Sequence, residues 1–221
     1  MLSGEIAPTY LVFLGTTRDS TPPRPARLGL RVAEACMRLL EKRGWADLID
    51  ALDWPLLQPF KPHFAFPESL VPAELDALAG KIKVADAYVM ISPEYNHSLS
   101  PALSNLLNHF GSSLFSWKPS LIVIYSAGQC SGTRAAIAMR PFLSELGCLP
   151  VSAMVHVPKA QTVFDESGLY LDRIHGADWN GYIGRGLDQL AWWAEAATAQ
   201  RMISGSPTKP FQKDPSQRNA P

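Results

Sequence analysis

The chain has no excess of either charge. Among its 221 residues Lys and Arg total 20, and Asp and Glu total 20. Zero formal charge gives no field to draw nucleic acid or an anionic membrane, and the basic residues are scattered apart from a modest group at Arg18, Arg24, Arg27 and Arg31. Cysteine is scarce. Cys36, Cys130 and Cys148 are odd in number, widely spaced and without a Cys-x-x-Cys pair, which argues against a disulfide framework or a zinc site. His63, His97, His109, His156 and His175 show no metal-ligand spacing, so no metal is expected. No apolar run approaches a membrane span. Met1 to Pro8 lack the charged-then-apolar order of a secretory signal, which sets the expectation of a reduced, cytoplasmic protein. There is no internal repeat, no Gly-x-Gly-x-x-Gly and no Gly-Lys-Ser/Thr phosphate loop.

What is present is a 47% apolar chain, enough to fill the core of one α/β domain. Short apolar runs predict strands at Tyr10–Leu14, Ala46–Leu52, Ala87–Ile91, Ser120–Tyr125 and Val151–Val157. Helical spacing predicts helices over Arg27–Lys42, Pro72–Val84, a segment carrying Leu99, Leu103, Leu106 and Phe110, Gly132–Leu146, and Ala177–Met202. In the last of these, Leu187, Leu190 and either Trp193 or Ala194 form the apolar stripe. Residues 53–72 carry five prolines and four aromatics and read as a long irregular loop of functional or contact-forming kind. After Ser204 the composition turns to Ser, Pro, Lys, Gln and Asn, so the domain is expected over 1–203 and a mobile tail over 204–221. Strands alternating with helices imply a parallel sheet with helices on both faces. The flavodoxin-like order 2-1-3-4-5 then puts a ligand crevice outside the carboxyl ends of strands one, three and four.

The three distinctive loops follow those three strands. Gly15-Thr16-Thr17-Arg18-Asp19-Ser20-Thr21 offers amides at a helix start, hydroxyls and one Arg, which suit a phosphate monoester. Taken alone it is equally an ordinary strand-to-helix turn. Pro93-Glu94-Tyr95-Asn96-His97-Ser98 is an extended polar loop, or more plainly a proline-stiffened turn with a surface Tyr. In Ser126-Ala127-Gly128-Gln129-Cys130-Ser131-Gly132 the glycines permit close backbone approach to a planar ligand. Cys130 precedes a helix start, where a thiol is either redox-active or simply a small loop residue. Trp192-Trp193 is either an aromatic interface patch or, more commonly for such helices, part of the core. Glu94 reads as a general base only weakly, since no second acid or His supports it, and His97 is not assigned as a proton donor.

The order Pro93-Glu94-Tyr95-Asn96, then Ser98, Pro101, Leu103 and Asn105, resembles the flavin loop of the NAD(P)H-dependent FMN reductase family. Gly15-Thr16-Thr17-Arg18 resembles that family's Gly-Ser-x-Arg phosphate loop, with Thr16 in place of Ser. Arg27-Leu28-Gly29 and Val32-Ala33 resemble the continuation in one branch, displaced by an apparent insertion at Thr21-Pro22-Pro23-Arg24-Pro25. Ser126 to Gly132 is similar to its Ser-x-Gly-x-x-Gly-Gly loop, with Ser131 replacing the first Gly of the final pair; Lys118-Pro119, Ala135 and Arg140 to Leu143 extend the likeness over about residues 10–157. The resemblance implies a three-layer flavodoxin-like fold and a bound FMN. It implies phosphate contacts from Thr16, Thr17 and Arg18, flavin contacts from Pro93, Glu94, Tyr95 and Asn96, and pyrimidine-edge contacts from Ser126, Gly128 and Gly132. It also implies electron donation by NADPH or NADH to quinones or other small acceptors, in a homodimer or homotetramer, with no catalytic side chain assigned. Two other readings stand beside it: a flavodoxin-type electron carrier, disfavoured by the neutral charge, and a flavin-free regulatory relative.

Overall fold

A computed structural model describes residues 7–19, 27–54 and 59–205. The expected insertion at Thr21–Pro25 lies outside the described residues, as does the tail expected over 204–221 except for Ser204, which ends the last helix, and Gly205.

The strands are β1 (Thr9–Leu14), β2 (Trp45–Asp50), β3 (Ala87–Pro93), β4 (Pro119–Tyr125) and β5 (Leu149–Val157). They pair in parallel throughout, in the order β2-β1-β3-β4-β5. Alternation along each strand divides the core. Tyr10, Val12, Leu14, Val89, Ile91 and Val123 face one side, under α1 (Leu28–Leu40) and α6 (Gly176–Ser204). Leu11, Phe13, Met90, Ile122 and Ile124 face the other, under α2 (Ala73–Val84), α3 (Pro101–Asn108), the short α4 (Ser112–Phe115) and α5 (Thr133–Glu145). The result is the expected three-layer flavodoxin-like architecture, with the central strands β1, β3 and β4 buried on both faces.

Three details differ from the sequence reading. Strand β5 begins two residues early, at Leu149, because a register irregularity opposite Ser120–Ile122 lets it run on. The carbonyls of Val151 and Ser152 accept from Arg140, and the Ala153 amide donates to Gln189, so the freed backbone groups stay bonded. Second, the stripe of α6 is completed by Ala194, while Trp192 and Trp193 are 62% and 45% exposed and pack on each other edge to face. Both indoles lie beyond the arc that α6 turns toward the sheet. Third, the irregular loop contains two single 3₁₀ turns, His63–Ala65 and Glu68–Leu70. Its Trp54 and Phe66 pack against the core, whereas Phe60 and Phe64 are exposed.

Lys118, recognised in sequence only as part of a Lys-Pro pair, is buried at the foot of β4. Its ammonium donates to the Ile82 and Lys83 carbonyls at 2.7 and 2.8 Å, closing the C-terminus of α2. Burial, with the Arg201 charge nearby, pulls its pKa down to about 7 against the opposing pull of Asp86. The unfolded chain therefore holds this proton up to the ordinary lysine range while the native protein releases it from about pH 7. Stability should consequently rise with pH across that window, since the unfolded state binds more protons there. Chemical denaturation of wild type and Lys118→Met at pH 7 and 9 should show the wild type gaining on the variant by roughly 1–3 kcal/mol. A constant difference would mean that the two carbonyls keep the ammonium charged.

Candidate active site

The ends of β1 and β3 are held together by small polar residues. The Gly15 amide donates to the Ile91 carbonyl at 2.8 Å, and the Ser100 hydroxyl donates to the Gly15 carbonyl. Ser100 is also the N-cap of α3, accepting the Leu103 amide at 3.1 Å, with Pro101 at the first helical position. Its own amide donates to the buried Ser92 hydroxyl at 2.9 Å. A Cβ on Gly15 would stand 2.3 Å from the Leu103 Cβ, so α3 seats directly on the glycine.

In the first loop Thr16 is buried, and its hydroxyl accepts the Arg18 amide at 3.2 Å. Arg27, just ahead of α1, reaches back. Its guanidinium donates to both carboxylate oxygens of Asp50 at 2.6 and 2.9 Å and to the Thr16 carbonyl at 3.2 Å. The Asp50 hydrogen bonds raise the Arg27 pKa above its ordinary value against desolvation. Arg27 Nε is buried without a partner among the described residues, whereas the Arg18 side chain is exposed and forms no ion pair among them.

The second loop is a tight turn. Tyr95 and Ser98 exchange backbone hydrogen bonds at 3.0 and 2.9 Å, with Asn96 and His97 between them at φ of 50° and 61°. Two consecutive left-handed residues define the mirror-image hairpin turn that favours Asn at its first corner. Asn96 is thus explained by backbone geometry, and it sits exposed at the tip. The Glu94 side chain turns the other way, accepting the Ala135 amide in the first turn of α5 at 3.2 Å.

In the third loop the Ser126 hydroxyl donates to the Gly128 carbonyl at 2.8 Å. Gly128 and Gly132 differ in kind. A Cβ on Gly128 would meet nothing within 4 Å, which leaves room for a ligand. Gly132, at φ 68°, would drive a Cβ to 2.0 Å from Ile124 Cγ2, so it serves the packing of α5 on β4.

These loops converge on a crevice of about 270 Å³ at the carboxyl ends of β1, β3 and β4. Thr16, Arg18, Arg27, Leu28 and Gly29 line it from the first segment. Pro93, Glu94 and Tyr95 line it from the second, and Tyr125, Ser126 and Ala127 from the third. Of the residues expected from sequence, Thr16, Arg18, Pro93, Glu94, Tyr95 and Ser126 stand on its wall, while Thr17, Asn96, Gly128 and Gly132 lie in the same loops outside it. The donor set suits a phosphorylated planar ligand, with cations and a buried hydroxyl at one end and aromatic or apolar walls beside open backbone at the other.

The sequence signature of the NADPH-dependent FMN reductase family matches residues 9–162. The chain belongs to this family. Membership makes it one of the NAD(P)H-dependent oxidoreductases and implies a flavin and a nicotinamide nucleotide. Among named relatives it is 27% identical over 168 residues to the NADH:(hydroxy)cinnamate reductase subunit CrdA of Vibrio ruber, covering 74% of this chain and 77% of that one. It is 32% identical over 105 residues to an NAD(P)H-dependent FMN reductase of Pseudomonas aeruginosa, covering 46% and 57%. It is also 36% identical over 75 residues to a quinone reductase of Escherichia coli, covering 33% and 40%. In fold it resembles FerB, a flavoenzyme NAD(P)H:(acceptor) oxidoreductase from Paracoccus denitrificans, with a TM-score of 0.64, 20% identity, and 86% and 98% coverage.

Asp50 and Tyr125 are site residues that the sequence reading passed over, and Arg27 it placed only within a resemblance. Asp50 closes β2 and is buried there, and a buried acid at a strand end beside a ligand crevice asks for a cation. Tyr125 was read only as the end of a core strand. Its hydroxyl lies where a Gly29 side chain would be, 2.5 Å from a Cβ placed there. Burial pushes its phenol pKa well up against a hydrogen bond with Thr16.

Asp50→Ala should strand the Arg27 charge with only the Thr16 carbonyl for a partner among the described residues. Because the pair is 15% and 9% exposed, urea unfolding should register a loss of about 2–3 kcal/mol. A loss below 0.5 kcal/mol would show that water replaces the carboxylate freely.

Proposed function

We propose that this crevice binds FMN and that the protein passes electrons from NAD(P)H to quinones or other small acceptors, one substrate after the other at a shared site. The observation that carries the reading is the convergence of the three loops on one crevice, with Arg18 exposed and unpaired among the described residues at its cationic end. Thr16 and Arg18 hold the phosphate, and Arg27 lines the same end of the crevice with its orientation fixed by Asp50. Thr17, with its hydroxyl and its own amide, completes the phosphate end, since the Gly15, Thr16 and Arg18 amides are bonded within the protein. Pro93, Tyr95 and Tyr125 wall off water along the ligand. Backbone amides of Ala127 and Gly128 face the pyrimidine edge beside Ser126, whose own amide is bonded to the Val157 carbonyl, with Gly128 giving close approach. When bound, FMN supplies the hydride and electron chemistry itself. Protein side chains bind and orient, with Glu94 holding the Ala135 amide of α5 through one carboxylate oxygen. Free thiols at Cys36, Cys130 and Cys148 support a reducing cytoplasmic setting, with Cys36 and Cys148 raised to about 12 by burial and therefore inert. Exposed Phe60, Phe64 and Leu70 support self-association into at least a homodimer. Light scattering giving only a mass of about 24 kDa at micromolar concentration would remove that part of the reading.

The purified protein should carry yellow flavin that heat releases as FMN, and an adenine-containing flavin would sink the assignment. Arg18→Ala should weaken FMN retention by about tenfold or more, as befits loss of a charge-assisted hydrogen bond. Unchanged retention would transfer the phosphate to Arg27. Double-reciprocal plots at several acceptor concentrations should be parallel, because the oxidised nicotinamide must leave before the acceptor enters. Intersecting plots would mean a second pocket, and absence of turnover without a partner protein would favour an electron carrier.

A further inference from the structure

We infer that Glu94 couples two walls of the crevice and lowers the reduction potential of a flavin held there. This rests on the proposal that the crevice binds FMN. The N-cap of helix α5 is Gly132, which has no side chain with which to cap it, and no cap bond comes from that residue. The missing acceptor comes from β3's end: Glu94 Oε2 takes the Ala135 amide at 3.2 Å across 41 positions of sequence. A Cβ at Gly132 would also touch the Glu94 Cβ, at 3.4 Å, so the two loops pass in contact. Glu94 is therefore a positioning residue for the third loop.

Its charge has a separate effect. Glu94 is the one acid on the crevice wall among the described residues, facing the cations Arg18 and Arg27. Its side chain is 17% exposed, so water screens it only in part. Arg134 stands 4.0 Å away and is 58% exposed, a pairing that leaves most of the carboxylate charge uncompensated. The carboxylate also cancels the positive end of the α5 dipole, which alone would favour an anion beside it. Reduction places negative charge on the pyrimidine edge of a flavin. A fixed carboxylate nearby opposes that charge and makes the bound flavin a stronger donor toward its acceptor.

Glu94→Gln separates the two roles, because an amide oxygen still accepts the Ala135 amide while the charge is gone. Equilibration of the FMN-loaded protein with a reference dye should show the variant favouring the reduced state by about tenfold, about 30 mV for a two-electron couple. Hydrogen exchange of the Ala135 amide should stay at the wild-type rate in Glu94→Gln and quicken in Glu94→Ala. A Glu94→Gln potential equal to or below wild type overturns the charge effect, and an unchanged exchange rate in Glu94→Ala overturns the positioning role. A wild-type protein that retains no FMN overturns the proposed function, and this inference with it.

Discussion

The Ser100 hydroxyl is the contact on which the crevice depends. It is 1% exposed and bonded twice, accepting from the first turn of α3 and donating to the Gly15 carbonyl at the end of β1. Lost inside the protein, either bond would leave a buried backbone group without a partner. The start of α3 and the first loop therefore cannot move independently. Gly15 permits the arrangement, since any side chain there would enter the space that Leu103 occupies. Ser92 extends the tie to the end of β3 through the Ser100 amide. The Glu94–Ala135 bond adds α5 to the same frame. Loops far apart in sequence thus become one rigid rim around the ligand space.

Charge in the crevice is arranged rather than accumulated. The chain as a whole is neutral. Yet its crevice wall carries Arg18 and Arg27 toward one end and Glu94 near the start of α5. Asp50 holds one cation still by a bidentate bond, while Arg18 stays open to solvent. In the proposed function such an arrangement orients a phosphorylated ligand as well as attracting it, because the cations favour a dianion at one end of the space. Bulk composition cannot show this, since paired and unpaired charges count alike in it.

The architecture was largely legible because its signal is local. The β-branched runs at Val89–Ile91 and Ile122–Ile124 are too short for helices and too apolar for surface strands, so a doubly covered parallel sheet follows. The loops were equally legible, since polar turns at strand ends mark the ligand edge of such a sheet. Individual side chains were less so. Asn96 was expected from resemblance alone, and the sequence did not show that it also serves the backbone: the turn requires two left-handed residues, and Asn tolerates that geometry. The sequence leaves Trp192 and Trp193 between an interface patch and the core, and Trp193 and Ala194 as alternatives for the stripe; a helix resting on a sheet buries only one arc, and small Ala194 fills it.

The sequence by itself determined the sheet, its covering helices, the three loops and the family resemblance they carry. Each of these rests on periodicity or on residues adjacent in the chain. Only the tertiary structure decided that Arg27 would find Asp50, that Glu94 would cap a helix 41 residues on, and that Tyr125 would fill the space left by Gly29. Those pairings join positions with no periodic relation to one another. They arise when buried charges and unsatisfied amides, brought together by strand order, must be satisfied by whichever groups lie within reach.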